Sequence, residues 1–75
     1  MTTAERYADE LVELANSRVG LSDGLVRLEQ IFDAYMIETP GSFVEKRKAL
    51  LDAFRAKAPV GELTSLIADK LGGVP

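Results

Sequence analysis

Glycine and proline interrupt this chain three times, and the spacing of those interruptions constrains its fold more than any other feature. "VGLSDG" at residues 19–24, "ETPGS" at 38–42 and the Ala58-Pro59 step leave segments of helix length between them. Within each segment apolar side chains recur at steps of three and four, the period of a helix that buries one side. No segment alternates with the period of two that a half-buried strand requires.

"TTAE" opens the first segment with Thr2 and Glu5 at capping-box spacing, and Ala4, Tyr7, Ala8, Leu11, Leu14 and Ala15 follow as one stripe. The pattern predicts a helix through Arg18. In the second segment Ser22 stands where a side chain can cap the helix start, and the helix should run to about Glu38. Its apolar set of Leu25, Leu28, Ile31, Phe32, Tyr35 and Met36 covers more than a third of the circumference, which predicts that this helix is the central one. Pro40 biases Thr39 away from helical angles, and Gly41 allows a sharp change of direction.

Ser42 and Glu45 repeat the capping-box spacing ahead of a third helix that presents Phe43, Leu50, Leu51 and Phe54 and should end near Lys57. A fourth helix is expected from about Pro59, burying Val60, Leu63, Ile67 and Leu71 and stopping at Gly72-Gly73 in a left-handed cap. Short connections favour adjacent, antiparallel helices. The expected fold is therefore all-α, one domain over residues 1–75, an antiparallel four-helix bundle of three long helices and a short C-terminal one.

A chain of 75 residues has a thin core, and such scaffolds commonly gain support from disulfides, a metal or a second subunit. This one has no Cys and no His. That removes disulfides and the usual zinc and iron–sulfur sites, and leaves self-association as the remaining support. It also removes the commonest general base and the commonest thiol nucleophile, so no enzymatic activity and no cofactor are expected. The acid pairs Asp9/Glu10 and Glu29/Asp33 lie on polar helical faces, and the glycines form neither a phosphate loop nor a dinucleotide fingerprint. An acidic start, and the lack of any apolar run of membrane-spanning length, predict a soluble cytoplasmic protein with no membrane partner.

"FVEKRKALLDAFRAK", residues 43–57, carries five positive charges in a chain of net charge −3. On a helical wheel Lys46 and Lys57 fall at one border of the apolar face of the third helix, with Lys48 and Arg55 near the other. Residues 1–38 hold eight acidic and three basic residues, whereas residues 39–75 hold four acidic and six basic. Glu5, Asp9 and Glu13 form a like-charged stripe that a basic neighbour would relieve. The basic border is thus expected to complement the first helix, in the same subunit or a second one. As an alternative, Lys46, Lys48, Arg55 and Lys57 would serve nucleic-acid binding in a transcriptional regulator. Arg47 projects from the middle of the apolar arc, either snorkelling to water beside Glu38 or anchoring a partner's carboxylate.

Residues 62–75, "ELTSLIADKLGGVP", resemble the first helix and turn of a helix-turn-helix unit, with Ala68 and Gly72 four residues apart. No recognition helix follows Pro75 in this sequence. An acidic four-helix chain with a serine opening its second helix is also similar to acyl carrier proteins, whose attachment signature is Asp-Ser-Leu. The order here is Leu21-Ser22-Asp23-Gly24 and the long first loop of that family is missing, so Ser22 is read as a cap.

Surplus apolar surface on the second helix remains. Val26, Tyr35, Met36 and Ile37, with Arg47, are the candidate partner-binding residues, because aromatic side chains and methionine are enriched in interface cores. The sequence therefore predicts a homodimeric protein-interaction module that regulates, adapts or inhibits a partner protein.

Overall fold

A computed structural model describes residues 1–72 as four helices with no strand: α1 (Thr3–Asn16), α2 (Leu21–Glu38), α3 (Phe43–Arg55) and α4 (Glu62–Leu71). Their packing makes a small all-α bundle of three long helices and one short one. No helix among the described residues is long and apolar enough to cross a membrane.

Local chemistry accounts for most of the boundaries. The Thr2 hydroxyl accepts from the Glu5 backbone N–H at 3.1 Å, and the Glu5 carboxylate accepts from the Thr2 N–H at 2.8 Å, completing the capping box. Helix α1 ends two residues short of the expected Arg18. Ser17 turns extended there, and both its N–H and its hydroxyl donate to the Leu14 carbonyl, which competes with continuation of the helix. Ser22 does not cap α2 but lies inside its first turn; the capping position belongs to Gly20, which brings no side-chain bond. The Ser42 hydroxyl caps α3 by accepting from the Glu45 N–H at 3.2 Å. Gly41 sits at φ 115°, a conformation that glycine adopts without a side-chain clash, so the α2–α3 turn depends on it.

The fourth helix departs furthest from expectation. It begins at Glu62 rather than Pro59, and Val60 is fully exposed instead of buried. At its end Gly72 has φ −75°, a right-handed value, so no left-handed cap forms there; Gly73 lies outside the described residues.

All four helices feed one core: Tyr7, Ala8, Leu11 and Leu14 from α1, Leu28, Ile31 and Tyr35 from α2, Leu50 and Phe54 from α3, and Ile67 and Leu71 from α4. Tyr7 and Tyr35 meet edge to face with centroids 5.5 Å apart, a favoured aromatic geometry. Their hydroxyls leave the core at the same end, Tyr7 donating to Glu38 at 2.8 Å and Tyr35 to the Lys46 carbonyl at 2.7 Å. Each ring is thereby buried without orphaning its polar tip.

The central helix is α1, not α2. Helices α1 and α4 each pack against all three others, α1 the more extensively, while α2 and α3 meet only around their connecting turn. The breadth of the α2 apolar arc has a different cause: Leu28, Ile31 and Tyr35 enter the core, whereas Leu25 and Phe32 turn toward α4. Gly24 lets α2 and α4 approach closely, since a Cβ there would lie 2.5 Å from Leu63 Cδ2.

Candidate functional site

The α2–α3 turn brings together most of the side chains the sequence singled out, and it assigns them unequal roles. Tyr35 is removed from the candidate partner surface. At 1 % exposure it is a core residue, because its ring fills the space beside Tyr7 and its hydroxyl is held by α3. Met36 is half-buried against the same core. Val26 and Ile37 are exposed, Ile37 at 87 %. They lie three turns apart in nearly the same direction, with Gln30 and Asp33 on the surface between them, so they form two apolar points rather than a stripe.

The basic residues of α3 are mostly engaged. The Lys46 ammonium donates to the Met36 carbonyl at 2.9 Å and the Thr39 carbonyl at 2.7 Å. These are carbonyls at the C-terminal end of α2, where a helix lacks internal donors and carries partial negative charge. Lys57 reaches Asp9 of α1 at 3.1 Å, the complementarity expected within one subunit, and Lys48 pairs with Asp52 one turn along α3 at 2.9 Å. Of the four cations in the nucleic-acid alternative, Arg55 alone has no hydrogen bond or ion pair among the described residues. The geometry thus assigns three of the four to internal partners.

Arg47 does not pair with Glu38. That carboxylate is taken by Arg6 and by the Tyr7 hydroxyl, both from α1. Arg47 instead lays its guanidinium over the Phe43 ring, 5.3 Å from the centroid, and makes no ion pair among the described residues. Phe43 and its neighbour Val44 are 55 % and 62 % exposed. The sequence pattern assigns Phe43 to the buried face of α3. A helical wheel reports direction but not height along the bundle, and these residues occupy the first turn of α3, beyond the reach of the core.

Phe43 touches Phe32 of α2 edge-on, with centroids 6.2 Å apart. Phe32 in turn lines a cleft of about 190 Å³ with Leu25, Leu28 and Leu71, rimmed by Glu29 and Lys70. The cleft thus lies between α2 and the end of α4. Arg47, Phe43, Phe32 and the cleft form a continuous apolar track with a cation at one end.

A larger depression of about 380 Å³ lies between the start of α1 and the α2–α3 turn, lined in part by Thr3, Thr39 and Lys46. Among the described residues its one lining cation is Lys46, whose ammonium is bound to the α2 carbonyls.

The resolved pKa shifts all move away from neutrality. Hydrogen bonds from Thr2 hold the Glu5 carboxyl below the ordinary carboxylate range. The hydrogen bond to Glu38, with burial adding to it, raises Tyr7, and burial raises Tyr35. None of these groups is tuned toward the proton transfers of a general acid or base near pH 7. No cluster of three or more His, Cys, Asp or Glu side chains capable of holding a metal occurs among the described residues. Comparison of the chain with protein-family models, with curated proteins and with solved structures finds no match.

Proposed function

We propose that this chain is a non-enzymatic, cytoplasmic protein-interaction module that regulates, adapts or inhibits a partner protein. One observation carries the reading: exposed Phe43 stands against Phe32 of an apolar cleft and under a guanidinium that has no anion among the described residues, with exposed Val44 next to it in the chain. Exposed apolar groups next to an uncommitted arginine suit a protein contact, since aromatic residues and arginine dominate interface hot spots. Affinity capture with the tagged full-length chain from lysate of its source cells, with and without nuclease, tests it. A stoichiometric protein that survives nuclease and is lost with Phe43→Asp supports the reading; nuclease-sensitive capture returns the basic edge of α3 to first place.

The module is further proposed to be a homodimer through the outer side of α2, with Val26 and Ile37 as contacts. Their exposure, together with a core that has no disulfide to support it, favours this. Sedimentation velocity should show a dimer that Ile37→Asp dissociates. A monomer across the concentration range removes the dimer and leaves the partner surface in place.

A further inference from the structure

We propose that the cleft lined by Leu25, Phe32 and Leu71 receives one large apolar side chain from an acidic amphipathic helix of the partner protein, whose carboxylates pair with Arg47 and Lys70. This rests on the interaction-module reading and adds the chemistry of the partner.

Size selects the kind of occupant. Small-molecule sites usually span roughly 300 to 1,000 Å³ and add convergent polar groups that orient the ligand. At about 190 Å³ the cleft is smaller, and Leu25, Leu28, Phe32 and Leu71 offer no side-chain hydrogen bond at all. A space of that volume and character fits a single anchor side chain, the way a protein partner seats a hot-spot residue. The walls select the shape. The cleft lies between α2, which gives Leu25, Leu28 and Phe32, and the end of α4, which gives Leu71, a groove between two helices where an amphipathic third helix can settle with its apolar side down.

Charge selects the sequence of that helix. Lys70 stands on the α4 rim and Arg47 lies on the far side of Phe43, and neither has an ion pair among the described residues. Of the other cations between residues 43 and 57, Lys46, Lys48 and Lys57 are bound internally, and Arg55 does not line the cleft. Glu29 is the anion on the α2 rim. A complementary helix therefore carries Asp or Glu on the side that faces α3 and α4, one turn from its anchor, and no acid beside α2. Carboxylates placed there strengthen encounter and fix the direction in which the helix lies.

The test is selection of a displayed library of 16-residue helix-forming peptides on the folded full-length chain, followed by synthesis of the enriched peptides. The expected peptides carry one Leu, Phe or Met anchor with Asp or Glu three or four positions away, and they shift the backbone amide resonances of Leu25, Phe32 and Leu71. Arg47→Glu with Lys70→Glu should weaken their binding by about tenfold or more. Both substituted positions lie outside the core, and circular dichroism verifies that the variant is folded. Exchanging the peptide acids for lysines should then restore binding to that variant. Enriched peptides that are basic or uncharged, that ignore the double reversal or that perturb another face overturn the assignment, as does a selection that enriches nothing. Self-association of the chain that disappears with Phe32→Ala also overturns it, because the occupant would then be a second copy. A captured cellular partner whose cross-links map to another face removes the cleft assignment alone, whereas capture of no protein partner removes the module.

Discussion

At the scale of single residues, the two core tyrosines show how a polar atom decides where a side chain belongs. Tyr35 has the composition of an interface residue, yet its hydroxyl reaches the Lys46 carbonyl and its ring packs on Tyr7, so burial leaves nothing unsatisfied. Tyr35→Phe keeps the ring and removes one hydrogen bond, and should cost about 1 kcal/mol in urea unfolding. The loss stays small because the Lys46 carbonyl sits in α3 and can still accept within the helix. The same substitution has a signature in pH. Folded Tyr35 titrates above its unfolded value because burial disfavours the phenolate, so its contribution is complete below the unfolded pKa and disappears as pH rises through the folded one. Alkaline unfolding should therefore be shallower in Tyr35→Phe than in the parent chain. Glu5 acts at the other limb: its folded pKa is lowered by the Thr2 hydrogen bonds, so its contribution is present above the unfolded value and lost as pH falls through the folded one. Thr2→Ala should remove the N-cap at a cost of about 1 kcal/mol at neutral pH and flatten the acid limb of the stability curve. Equal acid sensitivity of the two proteins would show that the capping box is open in solution.

At the scale of elements, the helices were legible because apolar period, caps and breakers agree in this chain, and agreement across levels is what makes a sequence specify its local structure. The capping box at Thr2 and Glu5 and the Pro40-Gly41 turn were both readable before any packing was known. The identity of the central helix was not. A wheel measures how wide an apolar face is, and the face of α2 is wide because it serves α1 through Leu28 and Tyr35 and borders a cleft through Leu25 and Phe32. Small Ala8 at 1 % exposure lets α1 approach its neighbours, a cue the wheel scores below a leucine. Lys46 was legible as a border residue but not as a cap, because its target carbonyls belong to another helix. Lys46→Met keeps much of the side-chain stem over its neighbours and removes both bonds to α2. It should destabilise the bundle by about 1 kcal/mol, and hydrogen exchange should quicken in the last turn of α2 before it does elsewhere. Uniform exchange with unchanged stability would show that water replaces the ammonium at no cost.

At the scale of the whole molecule, the charge asymmetry between the two halves of the chain suggests mutual attraction, and the structure shows how little of it becomes contact. Among the described residues one ion pair, Lys57 with Asp9, joins the acidic half to the basic half; Arg6 with Glu38 lies within the first half and Lys48 with Asp52 within the second. All three pairs have side chains roughly half exposed or more, where solvent screening and side-chain entropy leave an ion pair worth at most about 1 kcal/mol. The bundle is therefore held by its apolar core, and the charges act outward. Raising the salt concentration from about 20 mM to about 500 mM shortens the Debye length from roughly 20 Å to 4 Å, enough to extinguish long-range attraction between the halves. Unfolding free energy measured by urea at the two concentrations should differ by less than about 1 kcal/mol. Affinity for an acidic partner helix should fall over the same range, because Arg47 and Lys70 act on a charge that arrives from outside. A bundle that loses most of its stability in salt, while partner binding stays constant, would reverse that assignment: the positive edge would then be structural glue, and the apolar track at Phe43 would bind without it.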